Sequence, residues 1–171
     1  VEEVNQSLEN MLPPTVLPRL VKNEAPHDLQ VASVLQSDIC GFTSWCSTRT
    51  AMEVVHMLST VVGELDALAM ERRVVRIKTM GDGYLAVCGI PVPEEDHADR
   101  LLLFAMDLHE TLSRLSTLHM AKWGDLQMRI GVHSGHVMGA MLSRQRWAYD
   151  IFGPVPKGAS SLEHNCPIGS I

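Results

Sequence analysis

The order in which hydrophobic periodicity changes along this chain leaves few folds open. Val31 to Leu35 is an apolar run, interrupted only by Ser33, that reads as buried inside a strand predicted over Leu29–Ile39. Thr48–Arg72 then shows helical spacing, with Val54, Val55, Leu58, Val61, Val62, Leu65 and Leu68 as its inward face. Val74–Thr79 and Tyr84–Cys88 read as two strands around Met80-Gly81-Asp82-Gly83, a hairpin turn. Asp96–Leu118 is a second long helix, with Leu102, Leu103, Met106, Leu108 and Leu112 as its apolar positions. Leu126–His133, Val137–Leu142 and a weaker Arg146–Phe152 follow as strands, and the remainder reads as irregular apart from a short helix at Ala159–His164. The sequence therefore predicts an α+β fold, a ferredoxin-like βαββαβ palm core with an extra hairpin. Both long helices should lie on one sheet face.

Two aspartates sit where this arrangement concentrates chemistry. Asp38 closes the first strand in Ser37-Asp38-Ile39-Cys40-Gly41-Phe42-Thr43, and Asp82 occupies the hairpin turn. If those strands are neighbours, both carboxylates meet at one edge. Two converging carboxylates are what a pair of Mg²⁺ ions needs when it holds a triphosphate. Each aspartate also has a plain structural explanation, because Asp favours strand ends and turns.

The bulk properties narrow the function further. The 171 residues suffice for one domain with a core, and 46% are hydrophobic. A net charge of −6 without a basic stripe argues against nucleic acid as a partner. The four cysteines, Cys40, Cys46, Cys88 and Cys166, form no Cys-x-x-Cys pair, which fits packing residues in a reducing compartment. No apolar run approaches the ~18 residues of a membrane span. Val1–Leu12 carries a helical stripe that Pro13-Pro14 interrupts. Residues 1–28 are therefore expected to be an N-terminal helix and linker, and 29–171 the folded domain.

Four ordered motifs together resemble class III nucleotide cyclase catalytic domains. Asp38-Ile39-Cys40-Gly41-Phe42-Thr43 is similar to the family's metal-binding start, and Arg76 through Asp82 to its second metal motif. Met128 through Gly135 is similar to the central strand-and-turn motif, and Arg146 through Gly153 to the segment that approaches the base. Leu8-Glu9-Asn10-Met11-Leu12-Pro13 resembles the preceding signalling helix. The resemblance implies that Asp38, Asp82 and the Ile39 carbonyl hold two Mg²⁺, for which Mn²⁺ could substitute. It implies that Gly41, Phe42 and Thr43 offer backbone amides to the β- and γ-phosphates. Arg129 would contact the triphosphate, and Lys78 and Asp150 would read a purine edge. Lys donating and Asp accepting suits adenine better than guanine.

The departures matter as much. Where the family shows Asn-Thr-Val-Asn-x-Ala-Ser-Arg, this chain has Pro154-Val155-Pro156-Lys157-Gly158-Ala159-Ser160-Ser161. Lys157 replaces the ribose-orienting Asn, and Ser161 replaces the Arg that stabilises the pentavalent phosphorus. Losing one such donor is expected to slow chemistry about 10²-fold or more. The leading expectation is the metal-bearing half of a cyclase that makes 3′,5′-cyclic AMP and pyrophosphate from ATP, with a second cyclase domain supplying the Asn and Arg. In a heterodimer Lys78 and Asp150 would then face the second, degenerate site. A guanylyl cyclase half and a non-catalytic pseudo-cyclase are the alternatives, and a palm-type nucleotidyltransferase is disfavoured by the Arg146–Gly153 segment. The expected setting is cytoplasmic, on the cytosolic face of a larger membrane protein, with the family's final strands beyond Ile171.

Overall fold

Antiparallel pairing organises the chain around one central strand. The computed structural model describes residues 12, 13, 15–22, 24, 27–142 and 148–171. The elements are α1 (Val16–Val21), β1 (His27–Ile39), α2 (Phe42–Cys46), α3 (Ala51–Arg72), β2 (Val75–Met80), β3 (Gly83–Cys88), α4 (His97–Leu118), α5 (Met120–Trp123), β4 (Met128–Met141), β5 (Tyr149–Phe152) and α6 (Pro154–Asn165). The sheet order is β2-β3-β1-β4-β5. This is the βαββαβ core, and β5 extends it as the second strand of a hairpin with β4.

The sheet is covered on both faces, which explains why Ala32, Val34 and Leu35 are all apolar, whereas Val31, expected in the same buried run, is exposed. Leu35 and Ile39 face α3 and α4, in a core with Met57, Val61, Leu65, Phe104 and Leu108. Ala32 and Val34 face the opposite way, toward Val16 of α1 and Val155 and Ala159 of α6. The predicted pair of helices on one face is present. The second layer, formed by α6 and α1, is not legible in the hydrophobic pattern.

Several predicted boundaries and faces differ from the structure. The two strands predicted at 126–133 and 137–142 are a single β4, paired with β1 from His27↔Ala140 to Ile39↔Met128. The pairing carries the chain straight through Ser134-Gly135, where local turn signals suggested a break. The first long helix starts at Ala51 because Thr50 forms a capping box with Glu53. A separate short helix, α2, precedes it. The inward face of α3 runs through Met57, Val61, Leu65 and Ala69, and Val55 is exposed. On α4 the buried positions are Leu101, Phe104, Ala105, Leu108, Leu112 and Leu115, whereas Leu102, Leu103 and Met106 are exposed. Two overlapping apolar stripes on that helix made the faces ambiguous. The segment after Gly153 is a helix of 12 residues, begun by Pro154 in its first turn, where proline's missing N–H costs nothing. The expected N-terminal helix lies outside the described residues, as do Arg146 and Trp147.

α6 lies flush against β4. A Cβ placed on Gly131 would run into the Ala159 carbonyl and the Glu163 amide, both backbone atoms that cannot swing aside. Gly131→Ala should therefore destabilise the domain by about 1–3 kcal/mol. Urea unfolding should show this as a lower midpoint with an unchanged slope.

Candidate active site

The end of β1 and the β2–β3 turn come together as the spacing predicts. Met80 pairs with Gly83, so Gly81 and Asp82 form a two-residue turn. Gly81 has φ +64°, a backbone state that favours glycine at the first turn position. β3 is a direct neighbour of β1, with Ser37 opposite Tyr84. The turn therefore overhangs the last residues of β1. The Ile39 amide donates to Asp82 Oδ2 at 3.3 Å. Burial, then the negative charge of Asp38 beside it, push the Asp82 carboxyl up to about 6, and the Ile39 amide opposes that rise.

Arg129 completes this cluster through strand register. It lies directly opposite Asp38 in the β1–β4 ladder. Its Nη2 is 3.2 Å from Asp38 Oδ2 and 3.1 Å from Glu163 Oε1 on α6. Gly41 adopts φ +73° at the start of α2, which turns the chain out of β1. Phe42 stacks on Trp45 at 6.2 Å between ring centroids and packs on the core, so the loop backbone is anchored beside Asp38.

Lys78 and Asp150 also meet, although β2 and β5 are opposite edges of the sheet. Lys78 Nζ is 2.6 Å from Asp150 Oδ2. The pair borders an open cavity of about 480 Å³ lined by Gln36, Leu85, Lys157 and Ser161. The two departures from the family pattern, Lys157 and Ser161, thus project from α6 into the same cavity that Lys78 and Asp150 border. A larger recess of about 570 Å³ between α3 and α4, beside the Arg72–Asp107 ion pair, contains none of the predicted site residues.

The family model for the adenylate and guanylate cyclase catalytic domain matches residues 25–171. The chain belongs to that family. This cyclase domain is 30% identical over 160 residues to the soluble guanylate cyclase subunit beta-2 of Rattus norvegicus, covering 92% of this chain and 23% of that protein. It is also 30% identical over 167 residues to an adenylate cyclase of Mycobacterium tuberculosis, covering 96% of this chain and 37% of that protein. The guanylate cyclase domain of RhGC from Catenaria anguillulae, solved in complex with GTP, superposes with a TM-score of 0.77 at 31% identity. That match covers 85% of this chain and 78% of that one. The cyclase domain spans well under half the length of the curated relatives it matches, and those relatives include both adenylyl and guanylyl cyclases.

The structure brings Asp38, Ile39, Asp82 and Arg129 into one cluster, with Gly41, Phe42 and Thr43 following directly on β1. Lys78 and Asp150 form a second group at the cavity. Glu163 was missed by sequence reasoning. Its signal was present in the spacing Val155, Ala159, Glu163, which sets a carboxylate on the buried stripe of α6. Among the described residues no three His, Cys, Asp or Glu side chains form a metal-holding group. The two carboxylates that meet at the end of β1 are those of Asp38 and Asp82. A pair of carboxylates held together, one with a raised pKa, fits a divalent cation whose remaining ligands are water and phosphate oxygens.

The raised Asp82 pKa makes a pH prediction. In the metal-free fold Asp82 binds its proton more tightly than the unfolded chain does. That contribution to stability is fully present below the ordinary carboxylate value near 3.8 and is lost as pH rises through about 6. The stability difference between wild type and Asp82→Asn, from urea unfolding in EDTA, should therefore move against wild type between pH 4 and pH 7. A pH-independent difference would show that Asp82 is not held in a half-buried position beside Asp38.

Proposed function

We propose that this domain is the metal-bearing half of a purine nucleotide cyclase. It would join the ribose 3′-oxygen to the α-phosphorus and release pyrophosphate. The single observation that supports the reading is the convergence of Asp38 and Asp82 at the end of β1. Two Mg²⁺, or Mn²⁺ in their place, bound by these carboxylates and the Ile39 carbonyl would lower the pKa of the 3′-hydroxyl and stabilise the leaving pyrophosphate.

The chain's own residues would position the rest. Backbone amides of Gly41, Phe42 and Thr43 would meet the β- and γ-phosphates. Arg129 would add a guanidinium, suited to anionic oxygens by its planar fork of donors. Lys78 and Asp150 have the donor and acceptor that adenine requires, and this supports ATP over GTP wherever this surface serves as the base side. In this reading residues 29–171 form the catalytic domain, 1–28 the segment leading into it, and the whole works on the cytosolic face of a larger protein.

Lys157 and Ser161 support a requirement for a partner. Ser161 brings no charge to a pentavalent phosphorus, and Lys157 lacks the acceptor of an asparagine. A second cyclase domain supplying Asn and Arg would complete the site. The same two residues also favour a second reading, a non-catalytic pseudo-cyclase that binds nucleotide or regulates a partner by dimerising.

The test is a cyclase assay with ATP and GTP in turn, in Mg²⁺ and in Mn²⁺. The domain is assayed alone and mixed with a candidate half that carries the Asn and Arg. Activity is expected in the mixture, at least about 10²-fold above the domain alone. Asp38→Ala in this half should abolish it. Full activity from the domain alone would overturn the partner requirement. Metal-dependent nucleotide binding without turnover in any mixture would establish the pseudo-cyclase.

A further inference from the structure

Glu163 is a buried carboxylate that the catalytic reading does not use. Its side chain is only 10% exposed. It approaches the metal cluster from α6, a helix that the sequence otherwise marks by its lost Asn and Arg. The same Arg129 nitrogen contacts both Glu163 and Asp38, at 3.1 and 3.2 Å. One cationic N–H₂ group therefore stands between a carboxylate assigned to metal and one that is not.

Neither contact fully satisfies the groups involved. Arg129 Nε is buried without a hydrogen-bond partner among the described residues, and Glu163 Oε1 has its ion pair but no well-aligned hydrogen bond. A guanidinium held this way is poised between two partners. Glu163 cannot retreat, because the close approach of α6 to Gly131 fixes its backbone. Asp38 differs, since it lies at a strand end where a cation can compete for it.

We propose that Glu163 is a positioning residue that draws Arg129 away from Asp38. Asp38 is thereby available to a divalent cation, and the guanidinium stays at the edge of the site for an anionic triphosphate. This inference rests on Asp38 and Asp82 being the metal ligands. The effect is a competition. Arg129 and the cation both stabilise the Asp38 carboxylate, and metal binding must displace whichever fraction of Arg129 sits on it. Glu163 lowers that fraction by offering an equally close anion.

Glu163→Gln keeps the side-chain shape and removes the charge, leaving Asp38 as the remaining anion on that nitrogen. Mn²⁺ affinity of the nucleotide-free domain, measured by the electron paramagnetic resonance signal of free Mn²⁺, should fall about tenfold, as outer-shell substitutions do. Thermal unfolding in EDTA reports separately on the fold. In an Arg129→Gln background the same Glu163→Gln change should alter Mn²⁺ affinity by less than about twofold, because the pathway through Arg129 is gone. An equal loss in both backgrounds would mean that Glu163 acts through its charge alone, and would overturn the proposal. Asp38→Ala tests the underlying reading, since Mn²⁺ bound at wild-type affinity there would sink both. Abolished binding in Asp38→Ala with unchanged affinity in Glu163→Gln would remove the Glu163 role and leave the metal reading standing. Should Glu163→Gln fail to fold, Glu163→Asp withdraws the carboxylate by one methylene and should weaken Mn²⁺ binding by an intermediate factor. Wild-type affinity in that variant would also overturn the proposal.

Discussion

The pairing of β1 with β4 is the constraint on which the rest of the structure depends. It runs the full length of β1 and sets Asp38 opposite Arg129. On the other side β3 pairs with β1 and brings the Gly81-Asp82 turn over the strand's end. Side chains alternate between faces, so a slip of one residue would send Asp38 into the core that Leu35 and Ile39 share with α3 and α4. That slip would also turn Leu35 into the space that Ala32 and Val34 fill beneath α6 and α1, where a larger side chain does not fit. Burial on both faces of β1 therefore fixes the register, and the register fixes the chemistry. The site is positioned by hydrophobic packing rather than by attraction among its polar groups.

Those polar groups on their own would drift apart. Asp38 and Asp82 repel each other, and the raised pKa of Asp82 records the cost of holding them in a half-buried corner. Burial likewise raises the Glu163 carboxyl, and Arg129 opposes that rise. Arg129 is the cation ion-paired with this acidic group, through Asp38 and Glu163. A cluster with more anionic than cationic groups has a standing affinity for an added cation. It also loses stability near neutral pH when none is bound, which is the usual relation between a prepared site and the fold that holds it.

How much of this the sequence revealed follows from which interactions are local. The strands, the two long helices and the hairpin turn are written in short-range periodicity and in Gly81-Asp82-Gly83, and they appear within a few residues of their predicted bounds. The convergence of Asp38 and Asp82 needed only the assumption that β1 and β3 are neighbours. Non-local features were hidden. The continuity of β4 through Ser134-Gly135 comes from its ladder with β1. The exposure of Leu102, Leu103 and Met106 depends on which of two stripes of α4 meets the sheet. Helix α6 is disguised by Pro154, Pro156 and Gly158, residues that oppose helix formation in isolation, and its packing against β4 outweighs them. Glu163 escaped attention for the same reason, because a carboxylate becomes notable only once its helix and buried face are known.

Helix α6 also keeps two groups of residues apart. Its buried stripe, Val155, Ala159 and Glu163, packs on the sheet and reaches Arg129 beside Asp38. Its opposite face carries Lys157, Ser160, Ser161 and His164 along the cavity that Lys78 and Asp150 border. Substitutions on the exposed face leave the buried face and the aspartate cluster undisturbed. The residues at positions 157 and 161 can therefore vary independently of Asp38 and Asp82. A change that reached the buried face would instead disturb Glu163, and through it Arg129 and Asp38. If a second cyclase domain completes the site, as proposed, change can be confined to the face that carries Lys157 and Ser161 without loss of the packing on β4 that holds Asp38 opposite Arg129.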